Sequence, residues 1–294
     1  QVGGNIGPVI KRAGYDAIVI TGRAKTPAFL LVDGENVSVQ DAAGLRGKTV
    51  LEVYDTLIAE FGSRNISILQ CGPAGERLVR FACLVADLND VAGRTGMGAV
   101  FGSKNLRAIV VRGEQKPTFA DSDGLKRLAR VASQRLPNSG LPNIVHKYGT
   151  PGLLASQAEA GNLSTHNYSK SFHKEYKRLD GVEFGQRLGA HSTTCYACVV
   201  GCRRTVKTEK PYRVDDRLGG PEFETLGLLG SNLDITDAAA VAKANELCNS
   251  YGIDTITMGA IAGYIFECAE NNLIPPATVE GKHLRFGDID SVLW

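Results

Sequence analysis

The chain has 294 residues, enough for two domains, with 43% hydrophobic residues to build a core and a formal charge of only +2. So balanced a charge argues against nucleic acid or an acidic membrane surface as partner. The longest apolar runs, at 17–20 and 108–111, are far too short to cross a bilayer. Seven cysteines, an odd number with three clustered, do not resemble a secreted disulfide scaffold. A reducing cytoplasm, with a metal on the cluster, is the expectation.

In chain order, a glycine turn (QVGGNIG) comes first, then a β-branched strand over 15–21. Residues 28–42 read as a hairpin turning at Asp33-Gly34. A helix is expected over 47–62, with Val50, Val53, Leu57 and Ile58 on its apolar face and Gly62 as its stop. Strands follow at 66–72, 78–86 and 106–113, so residues up to about Gly113 form a β-rich α+β domain. The stretch 114–122 (EQKPTFADS) marks a shift to helical periodicity. A helix over 122–136 is capped by Ser122 or Asp123, and a loop-rich stretch runs from Pro137 to His191. Two further helices occupy 236–252 and 254–272, with Thr236 as N-cap and Gly252 as stop of the former. The expected boundary lies near residue 115, dividing the chain into domains 1–115 and 116–294. Gln1 in place of a start methionine, and an end on the apolar GDIDSVLW, suggest an internal piece of a longer protein.

Residues 195–202 (CYACVVGC) place Cys195, Cys198 and Cys202 at C-x2-C-x3-C spacing among small and apolar residues. Three readings compete. Zinc wants four ligands, commonly as two pairs, and no second pair is present. A disulfide would leave one thiol over. An iron–sulfur cluster with one remote ligand fits best, because such motifs commonly draw on a distant fourth cysteine. Cys71, Cys83, Cys248 and Cys268 are the candidates within the chain, each in an apolar context where a buried small hydrophobe is the simpler account.

Residues 92–105 (AGRTGMGAVFGSKN) gather Gly93, Gly96, Gly98 and Gly102 around Arg94 and Lys104. Glycines let a backbone approach a phosphate, and successive N–H groups can form an anion nest; a tight turn is the plainer alternative. Gly3, Gly4 and Gly7 offer a second close-approach turn. In GGPEFETLG, Glu222 and Glu224 would share one side of an extended backbone. A carboxylate near a redox centre can act as general base, whereas glutamates are also common in a helix's first turn.

Taken as a set, GYDAIVITGRA, GPAGE, AGRTGMGAVFGSKNLRAI, CYACVVGC, GGPEFETLGLLGSNL and YGIDTITMG make the chain resemble the aldehyde ferredoxin oxidoreductase family, in order and over nearly its whole length. The resemblance implies an α+β protein. A β-rich domain, here partial over 1–115, would cradle two pterins that hold tungsten or molybdenum. A mostly helical domain from 116 to 294 would carry the ligands of a [4Fe-4S] cluster. Magnesium between the pterin phosphates belongs to the same picture. It places cofactor contacts at Gly3, Asp90, Val91, Gly93, Arg94, Asn249 and Asp254, cluster ligands at Cys195, Cys198 and Cys202, and a proton-transferring carboxylate at Glu224.

The implied activity is oxidation of a small aldehyde to a carboxylic acid, with electrons passing to ferredoxin or an electron-transfer subunit. Neither nucleic acid nor a membrane is a partner, a homo-oligomer is compatible, and residues 1–294 alone are expected to be inactive. A tungsten-dependent reductase subunit acting on another substrate, such as an aromatic thioester, and a non-catalytic zinc module are the alternatives. The resemblance puts the fourth cluster cysteine in a later segment and an arginine bridging pterin and cluster before Gln1, so both are expected outside this chain. The chain departs from the family pattern at three further places. Asn249 stands where the D-x-x-G-L-D motif has its first acid, and Asp90 stands where some members carry a base. Lys243 to Glu246 replaces an E-x-x-H iron site, so no such iron is expected.

Overall fold

The computed structural model describes residues 1–294, with the side chain of Pro276 left aside. Two compact units emerge: Gln1–Asn138 with Thr194–Val199 and Asn249–Asp254, and Ser139–Thr193 with Val200–Cys248 and Thr255–Trp294. Among the described residues, no helix is long and apolar enough to cross a membrane.

The first unit runs α1 (Ile6–Arg12), β1 (Ala28–Asp33), β2 (Asn36–Asp41), α2 (Val50–Phe61), β3 (Ile66–Cys71), α3 (Pro73–Glu76), β4 (Leu84–Ala86), β5 (Asp90–Ala92), α4 (Met97–Ser103), β6 (Leu106–Arg112) and α5 (Ser122–Arg135). Its sheet has the order β2-β1-β6-β3-β4-β5, with β1 and β6 parallel and the other neighbours antiparallel. Strand β6 shows why its sequence is apolar without a break. Ile109 and Val111 point to a core with Ile6, Val9 and Phe101, while Ala108 and Val110 point to an opposite core with Val53, Leu57 and Ile68. Helices cover both faces, so neither set of alternating side chains meets water.

The hairpin pairs Asp33 with Asn36 around Gly34, whose φ of +56° is the left-handed turn that glycine favours. Helix α2 is closed by a capping box: Thr49 Oγ1 accepts from Glu52 N–H at 3.3 Å, and Glu52 Oε2 accepts from Thr49 N–H at 2.8 Å. The Thr49 N–H and, next, the Thr49 hydroxyl donate to the Glu52 carboxylate and hold it below its ordinary pKa.

Several expectations are corrected. Residues 15–21 form no strand: Ile18 and Ile20 pack against the core and Val19 is 85% exposed, so the alternation is present but no ladder partner is. The opening glycine turn leads at once into α1, which tolerates Pro8 because it lies in the first turn. The 78–86 strand shrinks to Leu84–Ala86. The cap of α5 is Asp121, which accepts from Gly124 N–H at 2.7 Å.

The second unit carries α6 (Gly140–Tyr148), α7 (Leu154–Glu159), α8 (Gly181–Leu188), β7 (His191–Thr193) paired antiparallel with β8 (Arg203–Thr205), α9 (Phe223–Thr225), α11 (Thr255–Glu270) and α12 (Ile289–Leu293); α10 (Ala238–Tyr251) starts there and ends in the first unit. The stretch expected to be loop-rich thus holds three helices. Several of its glycines and prolines sit at their ends: Gly149 and Gly189 terminate α6 and α8, and Pro142 lies in the first turn of α6. After α9 comes a buried π turn, Leu226–Gly230, against which α11 packs so closely that a Cβ on Gly259 would stand 2.4 Å from Leu228 O.

Candidate cofactor site

In the first unit, four segments far apart in sequence come together. A Cβ on Gly3 would stand 2.8 Å from Cys195 Sγ and 3.0 Å from Asp90 Oδ1, and one on Gly4 would stand 2.2 Å from Asp90 Oδ2. The N-terminal turn is therefore glycine where the thiol and the carboxylate press on it. Tyr196 N–H donates to Gly4 O at 3.3 Å, and the Arg12 guanidinium lies 5.1 Å from the centre of the Tyr196 ring.

The segment Asn249–Asp254 is seated by backbone ties: Cys83 N–H donates to Gly252 O at 2.9 Å, Asp254 N–H donates to Phe81 O at 3.2 Å, and Ala82 bridges Ile253. Gly72 lies directly beneath, its absent Cβ 2.1 Å from Tyr251 O. This seat puts Asp254 Oδ1 3.0 Å from where a Cβ on Gly93 would be, and Asp254 Oδ2 3.6 Å from Arg94 Nε. Asp90, Asn249 and Asp254 are all buried, while the Arg94 side chain stays 65% exposed. Val91, on β5, pairs with Val85 on β4 and is half-buried.

The glycine-rich stretch 92–105 is not one loop. Thr95 and Gly96 are left-handed at φ +79° and +73°, and α4 starts at Met97. The Gly98 N–H donates to Ala82 O at 2.9 Å. Cβ atoms on Gly98 and Gly102 would stand 2.4 Å from Cys83 O and 1.9 Å from Gly75 O. These two glycines serve close backbone packing, not an anion nest, and only Gly93 faces the buried carboxylate.

Cys195 is half-buried and Cys198 exposed, in a turn closed by Cys198 N–H donating to Cys195 O at 3.1 Å, with Ala197 left-handed at φ +54°. Thr194 Oγ1 donates to Cys198 O at 2.7 Å. Cys202 belongs to the second unit, after the left-handed Gly201. There the sequence reading missed Arg204, which is buried and donates to Gly201 O at 2.9 Å and His146 O at 2.7 Å. Burial lowers its pKa, while Cys202 and Glu222 pull it back up, so a fixed positive charge stands beside that thiol. Among the described residues, no three His, Cys, Asp or Glu side chains converge as ligands of a single ion. Thiolates of an iron–sulfur cluster bind different irons and need no such convergence. Cys71, Cys83 and Cys248 are buried in packed cores, and burial pushes the Cys71 thiol up to about 11.

Glu222 and Glu224 do not share a side. Glu222 stands at the N-cap position of α9 without a side-chain capping bond and accepts from Thr150 Oγ1, and Phe223 N–H donates to the same hydroxyl at 3.0 Å. Within a helical turn, residues two apart diverge by about 200°. Glu224 instead lines a cavity of about 300 Å3 in the second unit, with Leu163, Tyr168, Lys170, Phe223 and Leu228.

Comparison with known proteins decides the family. A model described as "Aldehyde ferredoxin oxidoreductase, N-terminal domain" matches residues 1–113, and one described as "Aldehyde ferredoxin oxidoreductase, domains 2 & 3" matches 127–294. The chain belongs to the aldehyde ferredoxin oxidoreductase family.

Among relatives of this oxidoreductase family, the tungsten-containing aldehyde ferredoxin oxidoreductase of Pyrococcus horikoshii is 35% identical over 98% of the chain and 47% of its own length. The aliphatic sulfonate oxidoreductase, WOR-like subunit, of Pyrococcus furiosus is 27% identical over 96% of the chain and 47% of its own length. The chain thus spans about half the length of these relatives. The active site complex BamBC of benzoyl coenzyme A reductase shares the α+β fold, with a TM-score of 0.80 at 21% identity over 99% of the chain and 45% of that structure.

The family's cofactor suits the first unit's residues. A pterin edge carries N–H donors that want acceptors, a part that the Asp254 carboxylate and the Asn249 amide would suit by type, as Arg94 would suit a phosphate. The cradle also needs bare backbone, and Cβ atoms at Gly3, Gly4 and Gly93 would crowd its walls. Gly72 escaped sequence reading because its role is a contact with a segment remote in the chain; the only local signal is the Gly-Pro step into α3.

Proposed function

We propose that the whole protein is a tungsten-dependent oxidoreductase that converts an aldehyde to a carboxylic acid. The observation carrying this reading is the meeting of the Gly3 turn, the Asp90–Arg94 loop, the Cys195 turn and the Asn249–Asp254 segment in one unit. When bound, a tungsten (or molybdenum) bis-pterin and a [4Fe-4S] cluster supply the redox chemistry and the exit route for electrons to ferredoxin or a partner subunit. Gly3, Asp90, Val91, Gly93, Arg94, Asn249 and Asp254 hold the pterins, and Cys195, Cys198 and Cys202 hold the cluster. Residues 1–115 contribute the pterin-binding domain, and 116–294 the helical domain.

Conversion of the aldehyde takes up one water and releases two protons with two electrons. Glu224, at its cavity, receives one of those protons. Its exposed place on a one-turn helix makes Glu224→Gln a mild structural change. In the intact protein, dye-linked turnover across an aldehyde panel is expected to show a kcat about 100–1,000-fold lower for Glu224→Gln, with KM little changed. A kcat within twofold of the parent would remove Glu224 from the chemistry. Turnover of an aromatic thioester with none of any aldehyde would replace the aldehyde by that substrate.

A further inference from the structure

A second cavity in the first unit, of about 260 Å3, is lined by Arg23, Lys25, Arg46, Glu76, Asn105 and Arg107 with flanking backbone. It shares no residue with the candidate cofactor site. Four cationic side chains against one carboxylate leave three net positive charges on its walls.

The carboxylate is already engaged. Glu76 Oε2 accepts from Gly47 N–H at 2.8 Å, and Oε1 stands 3.1 Å from Arg107 Nε. Arg107 is 2% exposed, an unusual place for a charge. Its Nη2 donates to Lys48 O at 3.0 Å, but Nη1 reaches no acceptor among the described residues. A buried guanidinium with an unused N–H edge is costly unless an oxyanion completes it. Arg23, Lys25 and Arg46 are exposed at the same cavity and can close on such an anion.

We propose that this cavity binds the phosphate group of a small organic molecule, with Arg107 as its inner anchor. A phosphate dianion offers three oxygens to several cationic donors, where a carboxylate offers two and a single charge. The volume lies at the small end for ligand cavities, so a group of a few carbons fits and a nucleotide does not.

The test is calorimetric titration of the intact protein at low salt with glycerol 3-phosphate and, separately, inorganic phosphate. Saturable one-to-one binding of glycerol 3-phosphate with Kd of about 1 mM or below is expected, tighter than inorganic phosphate. Lys25→Ala and Arg46→Ala, both exposed, should each weaken it about tenfold, and added salt should weaken it further. Arg107→Lys, which keeps the charge but not the fork, should abolish it. Equal affinity for the two probes would overturn the organic ligand in favour of free phosphate. No saturation of either below about 20 mM, or binding unchanged in Lys25→Ala and Arg46→Ala, would overturn the site.

Discussion

Cys198→Ser in the intact protein is expected to strip the iron–sulfur cluster while leaving the turn that carries it in place. The turn is closed by main-chain and threonine bonds: Cys198 N–H to Cys195 O, and Thr194 Oγ1 to the carbonyls of Cys195 and Cys198. None of these bonds uses the Cys198 side chain, and serine is close in size. What changes is the donor, since a hydroxyl is a poor substitute for a thiolate on iron. The expected result is loss of acid-labile sulfide and at least about a 100-fold fall in electron transfer to an external acceptor. Retention of a full complement of iron and sulfide would remove Cys198 from the ligand set.

Gly72→Ala is expected to be severely damaging to the seat of the Asn249–Asp254 segment. Its Cβ would stand 2.1 Å from Tyr251 O and 2.3 Å from Tyr251 C, and backbone on both sides cannot swing away as a flexible side chain could. The segment that carries Asn249 and Asp254 must then lift from Phe81, Ala82 and Cys83. The cost is on the order of 3 kcal/mol, with faster hydrogen exchange at residues 249–254 and reduced pterin content. Gly7→Ala is the matched control. It lies in α1 with nothing within 4 Å of the added Cβ, so it should be neutral or stabilise by about 0.5–1 kcal/mol. Equal thermal stability and pterin content in the two variants would contradict this packing account.

What could be read from the chain follows how local each signal is. The hairpin at Asp33-Gly34 and helix α2 between Thr49 and Gly62 are fixed by residues within a few positions, and both stand where their turn and cap residues place them. The strand expected at 15–21 has a sound local pattern but lacks a neighbour to pair with, which no local signal reports. Helices α6, α7 and α8 are short, and the glycines and prolines that end or open them resemble loop residues when counted together.

The candidate cofactor residues are legible by type: glycines, a lone arginine and clustered cysteines in apolar surroundings. The distinction among glycines was not legible, because Gly93 beside Asp254 and Gly102 against Gly75 differ only in what a remote segment brings to them. Arg204 escaped notice for the same reason, since its burial beside Cys202 is set by carbonyls from two separate stretches.

The central claim, that this chain helps to hold a tungsten pterin and an iron–sulfur cluster, is tested most directly by metal and sulfide content. The intact protein would be purified without oxygen and assayed for iron, tungsten, molybdenum, zinc and acid-labile sulfide per chain. The account predicts about four irons with matching sulfide, and about one tungsten or molybdenum. Zinc alone, with neither sulfide nor pterin fluorescence, would contradict it and leave CYACVVGC as a structural metal site.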